Sequence, residues 1–411
     1  MWTLGKTELA LNEKNLFAYY AFEDDKKCET PEEVRSLNDS DDDLQLSSTK
    51  TLVKNVVKTC IEEEALHSQE FEDYRYQLGT YPQYSIYTQA LEMARDQLGC
   101  RVIQKKLEEH NPFTFQTISE QILPEIISLM THPFGNYLAQ KFFEVSDYSS
   151  LSTIVEQTNT HLYQISLDTH GTRAVQKLIE VISQHPELVP KLILSLKSQV
   201  VSLIKDPNGN HVVQKCLNSF SPQFNEFIYR GACEKLVEIA KHRHGCCVLQ
   251  RCIDAASPSQ MHSLVNNIVE HSVELVQDAF ANYVVQYVLD LELPEVNERL
   301  AGMFMDNMKL LAKQKFSSNV IEKCLELSQV GVRTKMIQVI AEKDNIAEMI
   351  KDQYGNYVVQ RALMLADKES KSTMLTEIKG VLSHLKNTQF GKRIYAKLVK
   401  FYPQLLESVF R

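Results

Sequence analysis

From about residue 99 onward, apolar residues fall in pairs separated by two polar positions, the spacing of one helix face and not the alternation of a strand. Val212, Val213, Cys216 and Leu217 are typical. Pro and Gly punctuate the helix starts, as in Asp206-Pro207-Asn208-Gly209, and Ser221-Pro222 and Ser257-Pro258 separate later segments. A second apolar run follows in each unit, for example Phe224, Phe227 and Ile228, then Cys233, Leu236, Val237 and Ile239. No unit contains a convincing strand.

The pattern repeats. A small residue is followed five positions later by Gln or Glu, and the small residues are Gly99, Gly135, Gly171, Gly209, Gly245, Ala281, Ser317 and Gly355. The steps between them are 36, 36, 38, 36, 36, 36 and 38 residues, and a degenerate ninth copy opens at Gly391. One such unit cannot bury its own apolar faces, whereas stacked units share a continuous core. The spacing therefore predicts an all-α fold, an α-solenoid.

Within each motif helix the residue after the small one is position 1, and the Gln/Glu is position 5. These are i and i+4, one turn apart on the same face, where two polar groups can grip the edge of one flat ring. The pairs are Cys100/Gln104, Asn136/Gln140, Thr172/Gln176, Asn210/Gln214, Cys246/Gln250, Asn282/Gln286, Ser318/Glu322 and Asn356/Gln360. Position 2 points about 100° away, toward the gap between units, where a flat side chain can stack on a base. It holds Arg101, Tyr137, Arg173, His211, Cys247, Tyr283, Asn319 and Tyr357; Cys247 and Asn319 are poor stackers. The residue after position 5 is Lys105, Lys141, Lys177, Lys215, Arg251, Tyr287, Lys323 or Arg361. These cations are expected to form a basic stripe that contacts phosphates. The Val-Val, Val-Ile and Val-Leu pairs at positions 3 and 4 are core.

Charge changes this picture only in its distribution. The net charge of −9 is concentrated in residues 1–80, which carry 9 Lys/Arg and 18 Asp/Glu, so the remaining 35 of each leave the repeat region neutral. A neutral body can carry a basic face. The nine cysteines are odd in number, without a Cys-x-x-Cys pair, and are expected to be reduced thiols. No stretch is long and apolar enough for a membrane span, and the first residues do not open a signal peptide.

The run Asp-x-x-Gly-Asn-Tyr-Val-Val-Gln, eight times in variant form, resembles the Pumilio/FBF (PUF) family of RNA-binding repeat proteins. The likeness covers residues 68–411, with a family-like N-terminal cap from Tyr74 to Pro82 and a C-terminal half-repeat at Phe390-Gly391-Lys392-Arg393. It implies a right-handed solenoid of eight three-helix repeats of about 36 residues, capped by degenerate half-repeats, each repeat reading one base with two or three side chains. The family's code assigns Asn/Gln to U, Cys or Ser/Gln to A and Ser/Glu to G, with the RNA antiparallel to the chain. Carried over, it implies 5′-UGUAU(A/N)UA-3′, with Thr172/Gln176 off the common pattern and a nine-nucleotide site as the alternative. The resemblance further implies an mRNA 3′ untranslated-region binder that represses translation or promotes decay, with protein co-regulators on the convex face and near residues 327–331. A cytoplasmic location and one chain per RNA are also expected.

Other chemistry is weakly signalled. No catalytic motif is present, so no enzyme and no cofactor are expected. His242 and His244 lie near Cys246 and Cys247, but those cysteines already belong to the repeat columns, so no metal site is expected. A competing reading is a protein-binding scaffold without RNA affinity, against which the Gln/Glu column and its neighbouring cations speak. Residues 1–67 form an acidic leader expected to be partly disordered, with an amphipathic stripe at Leu52, Val53, Val56, Val57, Cys60 and Ile61, and dispensable for RNA affinity.

Overall fold

The computed structural model describes residues 85–385 and 389–403, and the leader and N-terminal cap lie outside them. The described residues are helices joined by short turns, with no strand among them. The eight motif helices are α1 (Gln97–Glu108), α2 (Gly135–Val145), α3 (Gly171–Ile182), α4 (Gly209–Ser219), α5 (Gly245–Ala255), α6 (Ala281–Asp290), α7 (Ser317–Leu327) and α8 (Gly355–Leu365). Each packs on the next, and the intervening helices, such as Glu226–Glu234, Pro258–Glu270 and Pro294–Met305, form a second row behind them. The third repeat departs slightly: its outer helix, Val189–Leu196, follows a longer turn, where one of the 38-residue steps falls.

The core lies between the two rows. Positions 3 and 4 are buried throughout α4 to α8, from Val212 and Val213 through Val358 and Val359, as their apolar pairing requires. Burying each such side chain contributes roughly 1.5–3 kcal/mol. The α-solenoid expected from the periodicity is the fold observed.

The helix starts explain the rest of the motif. The aspartate three residues before the small one caps the helix: Asp206 Oδ1 accepts from the N–H groups of Asn208 and Gly209 at 2.8 and 2.7 Å. Asp96, Asp168, Asp278 and Asp352 do the same in their repeats. These caps satisfy amide groups that have no partner inside the helix. In the second and fifth repeats the cap is a histidine. His132 Nδ1 accepts from Phe134 and Gly135 at 3.2 and 3.1 Å, and His242 Nδ1 accepts from His244 at 3.3 Å. The small residue is needed because the chain doubles back on itself. A Cβ on Gly245 would lie 2.1 Å from the Ile239 carbonyl oxygen, and one on Gly171 would lie 2.4 Å from that of Ile165.

The degenerate ninth motif also forms a helix, Gln389–Phe401, packed on Lys368–Leu385. Between the last two repeats the turn is tight, since α7 ends at Leu327 and the next helix starts at Val330. Arg333 closes it by donating to the carbonyls of Leu325, Glu326 and Ser328 at 2.8–2.9 Å.

Candidate nucleic-acid interface

The eight position-1 side chains are brought into one column along the row of motif helices, and all are 5% exposed or less. They are therefore more deeply set than a pair of equal, projecting jaws. Position 5 stands half-buried beside them. In the four Asn/Gln repeats the two are already joined. Gln140 Nε2 donates to Asn136 Oδ1 at 3.1 Å, Gln214 to Asn210 at 2.8 Å, Gln286 to Asn282 at 2.9 Å and Gln360 to Asn356 at 2.8 Å.

The asparagine amides are fixed from below. Asn210 Nδ2 donates to the carbonyls of Asp206 and Pro207, both at 2.8 Å, and Asn136, Asn282 and Asn356 make the equivalent pair of bonds. Both amide hydrogens are thus committed, so the group each asparagine turns toward its glutamine is an acceptor. Gln140, Gln214 and Gln286 keep one N–H and the carbonyl oxygen, and Gln360 Nε2 also donates to the Asn356 backbone carbonyl at 3.2 Å. Donor and acceptor groups are held in place before any ligand arrives, which lowers the ordering cost of binding a base edge.

The other pairs differ. Gln104 lies 3.8 Å from Cys100 Sγ, a weak sulfur contact. Thr172 accepts from Gln176 at 3.3 Å, while its own hydroxyl donates 3.0 Å to the Asn208 carbonyl of the next repeat. That hydroxyl proton is therefore spent on the joint between repeats. Ser318 donates to the Lys315 carbonyl at 3.4 Å, and Glu322 lies 3.9 Å from Arg361.

Gln250 differs from its counterparts. Its i, i+4 spacing pairs it with Cys246, yet the structure does not join the two. The Cys246 thiol turns back into its own turn, 3.3 Å from the Arg243 carbonyl, and its sulfur lies 4.0 Å from that of Cys247. A thiol is also a weak acceptor, so it holds a glutamine amide less firmly than an asparagine oxygen does. Gln250 stays half-buried on the same face as Cys246, without the bond that orients Gln140, Gln214, Gln286 and Gln360.

Position 2 projects from the same surface. Tyr137 and Tyr283 are 47% exposed and Tyr357 is 42% exposed, unusual for rings this large. Arg173 and His211 are exposed, Arg101 and Cys247 half-buried. Neighbouring members meet across the repeat joint, where Arg173 donates to the Tyr137 hydroxyl at 3.5 Å.

The cations of the expected basic stripe meet acids. Three residues further on in six of the eight repeats the sequence places an acid, Glu108, Glu144, Glu180, Asp254, Asp290 or Glu326, and these acids interleave with the column. Lys141 bridges Glu108 and Glu144 at 3.1 and 2.8 Å, and Lys177 bridges Glu144 and Glu180 at 3.0 and 2.9 Å. Lys215 reaches back to Glu180, Lys323 to Asp290 and Arg361 to Glu326. Even Tyr287, the one non-cation in the column, donates its hydroxyl to Asp254 of the preceding repeat. The column therefore selects for a donor to the previous repeat's acid, and its charge is largely cancelled. The hydrogen bonds of Lys215 and Lys177 hold the Glu180 carboxyl down at about 2. The acid column was visible in the sequence at the same 36-residue spacing, but it carries meaning only once adjacent helices are side by side.

Asn218 interrupts this ladder in the fourth repeat, so Arg251 is paired with Asp254 of its own helix at 2.9 Å. His242 is engaged as a cap, and no group of three or more metal-ligating side chains occurs among the described residues. Nor is any helix among them long and apolar enough to cross a membrane.

Comparison with known proteins agrees with this geometry. The family model of the Pumilio-family RNA-binding repeat matches residues 89–123, 125–157, 161–185, 199–230, 235–269, 271–301, 307–341 and 345–379. A Pumilio domain-containing protein of Schizosaccharomyces pombe is 41% identical over 318 residues, covering 77% of this chain and 46% of the relative. Pumilio homolog 9 of Arabidopsis thaliana is 40% identical over 157 residues, covering 37% of this chain and 28% of the relative. This chain thus matches less than half the length of either relative. Among solved structures, the Puf4 RNA-binding domain bound to a recognition sequence of the HO endonuclease RNA 3′ UTR superposes with a TM-score of 0.65 at 36% identity, over 74% of this chain and 97% of that one. The RNA-binding domain of yeast Puf5p bound to AAT2 RNA gives a TM-score of 0.68 at 28% identity, over 80% of this chain and all of that one. Eight matched repeats, each containing one motif helix of the stacked row, establish that the chain belongs to the Pumilio (PUF) family of RNA-binding repeat proteins.

Proposed function

We propose that the row of motif helices binds single-stranded RNA sequence-specifically, one base per repeat, and that the protein regulates mRNAs through their 3′ untranslated regions. The observation that carries the reading is the amide dyad of the Asn/Gln repeats, built four times with the same bonds. A protein-binding scaffold gains nothing from orienting four glutamines identically at the surface. Uracil presents two acceptors around one N–H, and a dyad offering an N–H and carbonyl oxygens complements it. At Ser318/Glu322 the carboxylate accepts the adjacent N–H groups of guanine with charge assistance. The tyrosines, arginines and His211 of position 2 supply stacking worth roughly 1–3 kcal/mol per base.

With the RNA antiparallel to the chain, these pairs read 5′-UGUAU(A/N)UA-3′. Cys246/Gln250 and Cys100/Gln104 take adenine, with Gln250 oriented by the base itself and not beforehand by Cys246. Thr172/Gln176 is the least selective pair because its hydroxyl proton already serves the Asn208 carbonyl. Sequence recognition comes from the dyads and the stacked rings more than from charge, since the ladder neutralises its own cations. Repression of translation or promotion of decay in the cytoplasm would follow from co-regulators bound elsewhere on the chain. The test is selection from a random RNA pool. Recovery of UGUA-containing sequences is the expected result, and recovery of no consensus would return the protein to the scaffold class.

A further inference from the structure

The ladder of acids and cations is altered on both sides of Arg251. Behind it, Asn218 of the fourth repeat stands where Glu108, Glu144, Glu180, Asp290 and Glu326 stand in other repeats, so the preceding repeat offers Arg251 no ladder acid. Ahead of it, Tyr287 of the sixth repeat replaces the cation, and its hydroxyl donates to Asp254. The ion pair of Arg251 is with that same Asp254, on its own helix, at 2.9 Å. Lys141 and Lys177, by contrast, each bridge two acids, one of them in the preceding repeat. The Arg251 side chain is 45% exposed, against 23–36% for Lys141, Lys177, Lys215, Lys323 and Arg361. To reach a ligand Lys177 would give up two ion pairs. Arg251 gives up one, of a weak, half-exposed kind, and Asp254 keeps the Tyr287 hydroxyl as its donor.

We propose that Arg251 leaves Asp254 for an RNA phosphate and so fastens the RNA backbone at the fifth repeat, while the other paired cations of the ladder stay with their acids. This rests on the RNA reading given above. Arg251 directly follows Gln250 of the base-edge column, so it borders the path assigned to the RNA. One turn before it, Cys247 offers no ring on which a base could stack, so the nucleotide at this repeat needs another hold. A guanidinium supplies one, because its planar fork of N–H donors matches two phosphate oxygens at once. The contact is indifferent to the base. It positions the strand at the repeat assigned to the adenine after UGU, and leaves Cys246 and Gln250 to select that base. The two sequence changes that free the arginine, Asn218 behind it and Tyr287 ahead, thus act together.

Affinity for UGUAUAUA is titrated across salt concentrations for the full chain, for Arg251→Gln, Arg251→Lys and Asn218→Glu, and for Asn218→Glu combined with Arg251→Gln. Arg251→Gln should weaken binding at low salt and make the slope of log K against log salt shallower by about 0.7, one phosphate contact, so that its deficit shrinks about threefold for each fourfold rise in salt. Arg251→Lys keeps the charge and should keep the slope. Asn218→Glu restores the missing ladder acid and should capture Arg251, weakening binding more than it does in the Arg251→Gln background, where only general repulsion by the added charge remains. An unsubstituted chain that fails to bind this RNA overturns the RNA reading itself. If the unsubstituted chain binds, the present inference alone is overturned by an unchanged slope in Arg251→Gln, by an equal loss of slope in Arg251→Lys, or by an Asn218→Glu effect that is the same with and without Arg251.

Discussion

Lys177 of the third repeat lies 3.0 Å from Glu144 of the second, and the same lysine holds Glu180 of its own helix at 2.9 Å. One side chain thereby ties two repeats together beside the column proposed to read bases. Individually such half-exposed pairs contribute little, about 0.2–1 kcal/mol. Their arrangement matters more: the acids stand between the cations, so the face that sequence columns make basic is close to neutral.

This neutrality predicts a shallow salt dependence. Seven free cations on phosphates would give a slope of about −5 in log K against log salt, at roughly −0.7 per contact for a single strand. With Lys141, Lys177, Lys215, Arg251, Lys323 and Arg361 in ion pairs to ladder acids, the slope should be less than half of that. Titration of RNA binding across several salt concentrations measures it, and a slope near the full value would restore the phosphate role of the column.

The carboxylate of Glu322 is alone among the eight reading pairs. Replacing Ser318→Asn and Glu322→Gln together should make this repeat prefer uracil, so that the double variant favours UUUAUAUA over UGUAUAUA. The swing should be roughly 1–3 kcal/mol, the discrimination of a good base contact. Both affinities for both proteins, at one salt concentration, decide it. Persistent preference for guanine would mean the register assigned to the repeats is wrong.

The histidine caps predict a pH dependence. His132 and His242 each accept backbone N–H groups at Nδ1, which requires that nitrogen to be unprotonated. Partial burial, then the charge of Arg95 on His132 and of Lys205 on His242, lowers both below the ordinary 6.5. The unfolded chain therefore takes up protons more readily than the folded one. Stability from these caps is complete above about pH 6.5 and is lost as the pH falls through that value toward the lower folded one. His132→Asp supplies the acceptor used in five other repeats, one that stays ionised through this window. It should narrow the difference in unfolding midpoint between about pH 7 and about pH 5 by up to the worth of a cap, about 1 kcal/mol. An unchanged difference would show that the cap does not titrate.

Gly245 is predicted to resist even the smallest side chain. With the Ile239 carbonyl 2.1 Å from a built Cβ, Gly245→Ala must shift the helix start and should cost about 1–3 kcal/mol. The sixth repeat is the control, because Ala281 fills the same position and is fully buried. Denaturant unfolding of Gly245→Ala and Ala281→Gly compares them, and a neutral Gly245→Ala would show that the turn relaxes freely.

The fold was legible because it is written eight times. A period of 36 residues with a helical apolar spacing admits few architectures other than stacked helices, and the buried pairs at Val212/Val213 and Val358/Val359 are the ones the spacing selects. The reading pairs were also legible, since i and i+4 on a helix must be neighbours. Local geometry fixes that relation, and no tertiary information is needed for Gln214 to reach Asn210. Whether the neighbours bond is not fixed by the spacing, since Gln104 reaches the Cys100 sulfur at 3.8 Å while Gln250 beside the Cys246 thiol shows the spacing without the bond.

What the tertiary structure decided lies between repeats or beneath the surface. The depth of position 1 depends on how closely the motif helix returns to the preceding one. The asparagine amides acquire their direction from carbonyls in the capped turn. The ladder depends on contacts 33 to 35 residues apart, such as Lys323 with Asp290 and Arg361 with Glu326. A sequence column shows that cations recur, but not what stands opposite them. Sequence alone determined the repeat, the helices and the residues that share a face, because these follow from covalent geometry over one or two turns. Whether a charge on that face is available or already matched was settled only by the packing of one repeat against the next, since Coulomb attraction depends on distance in space and not along the chain.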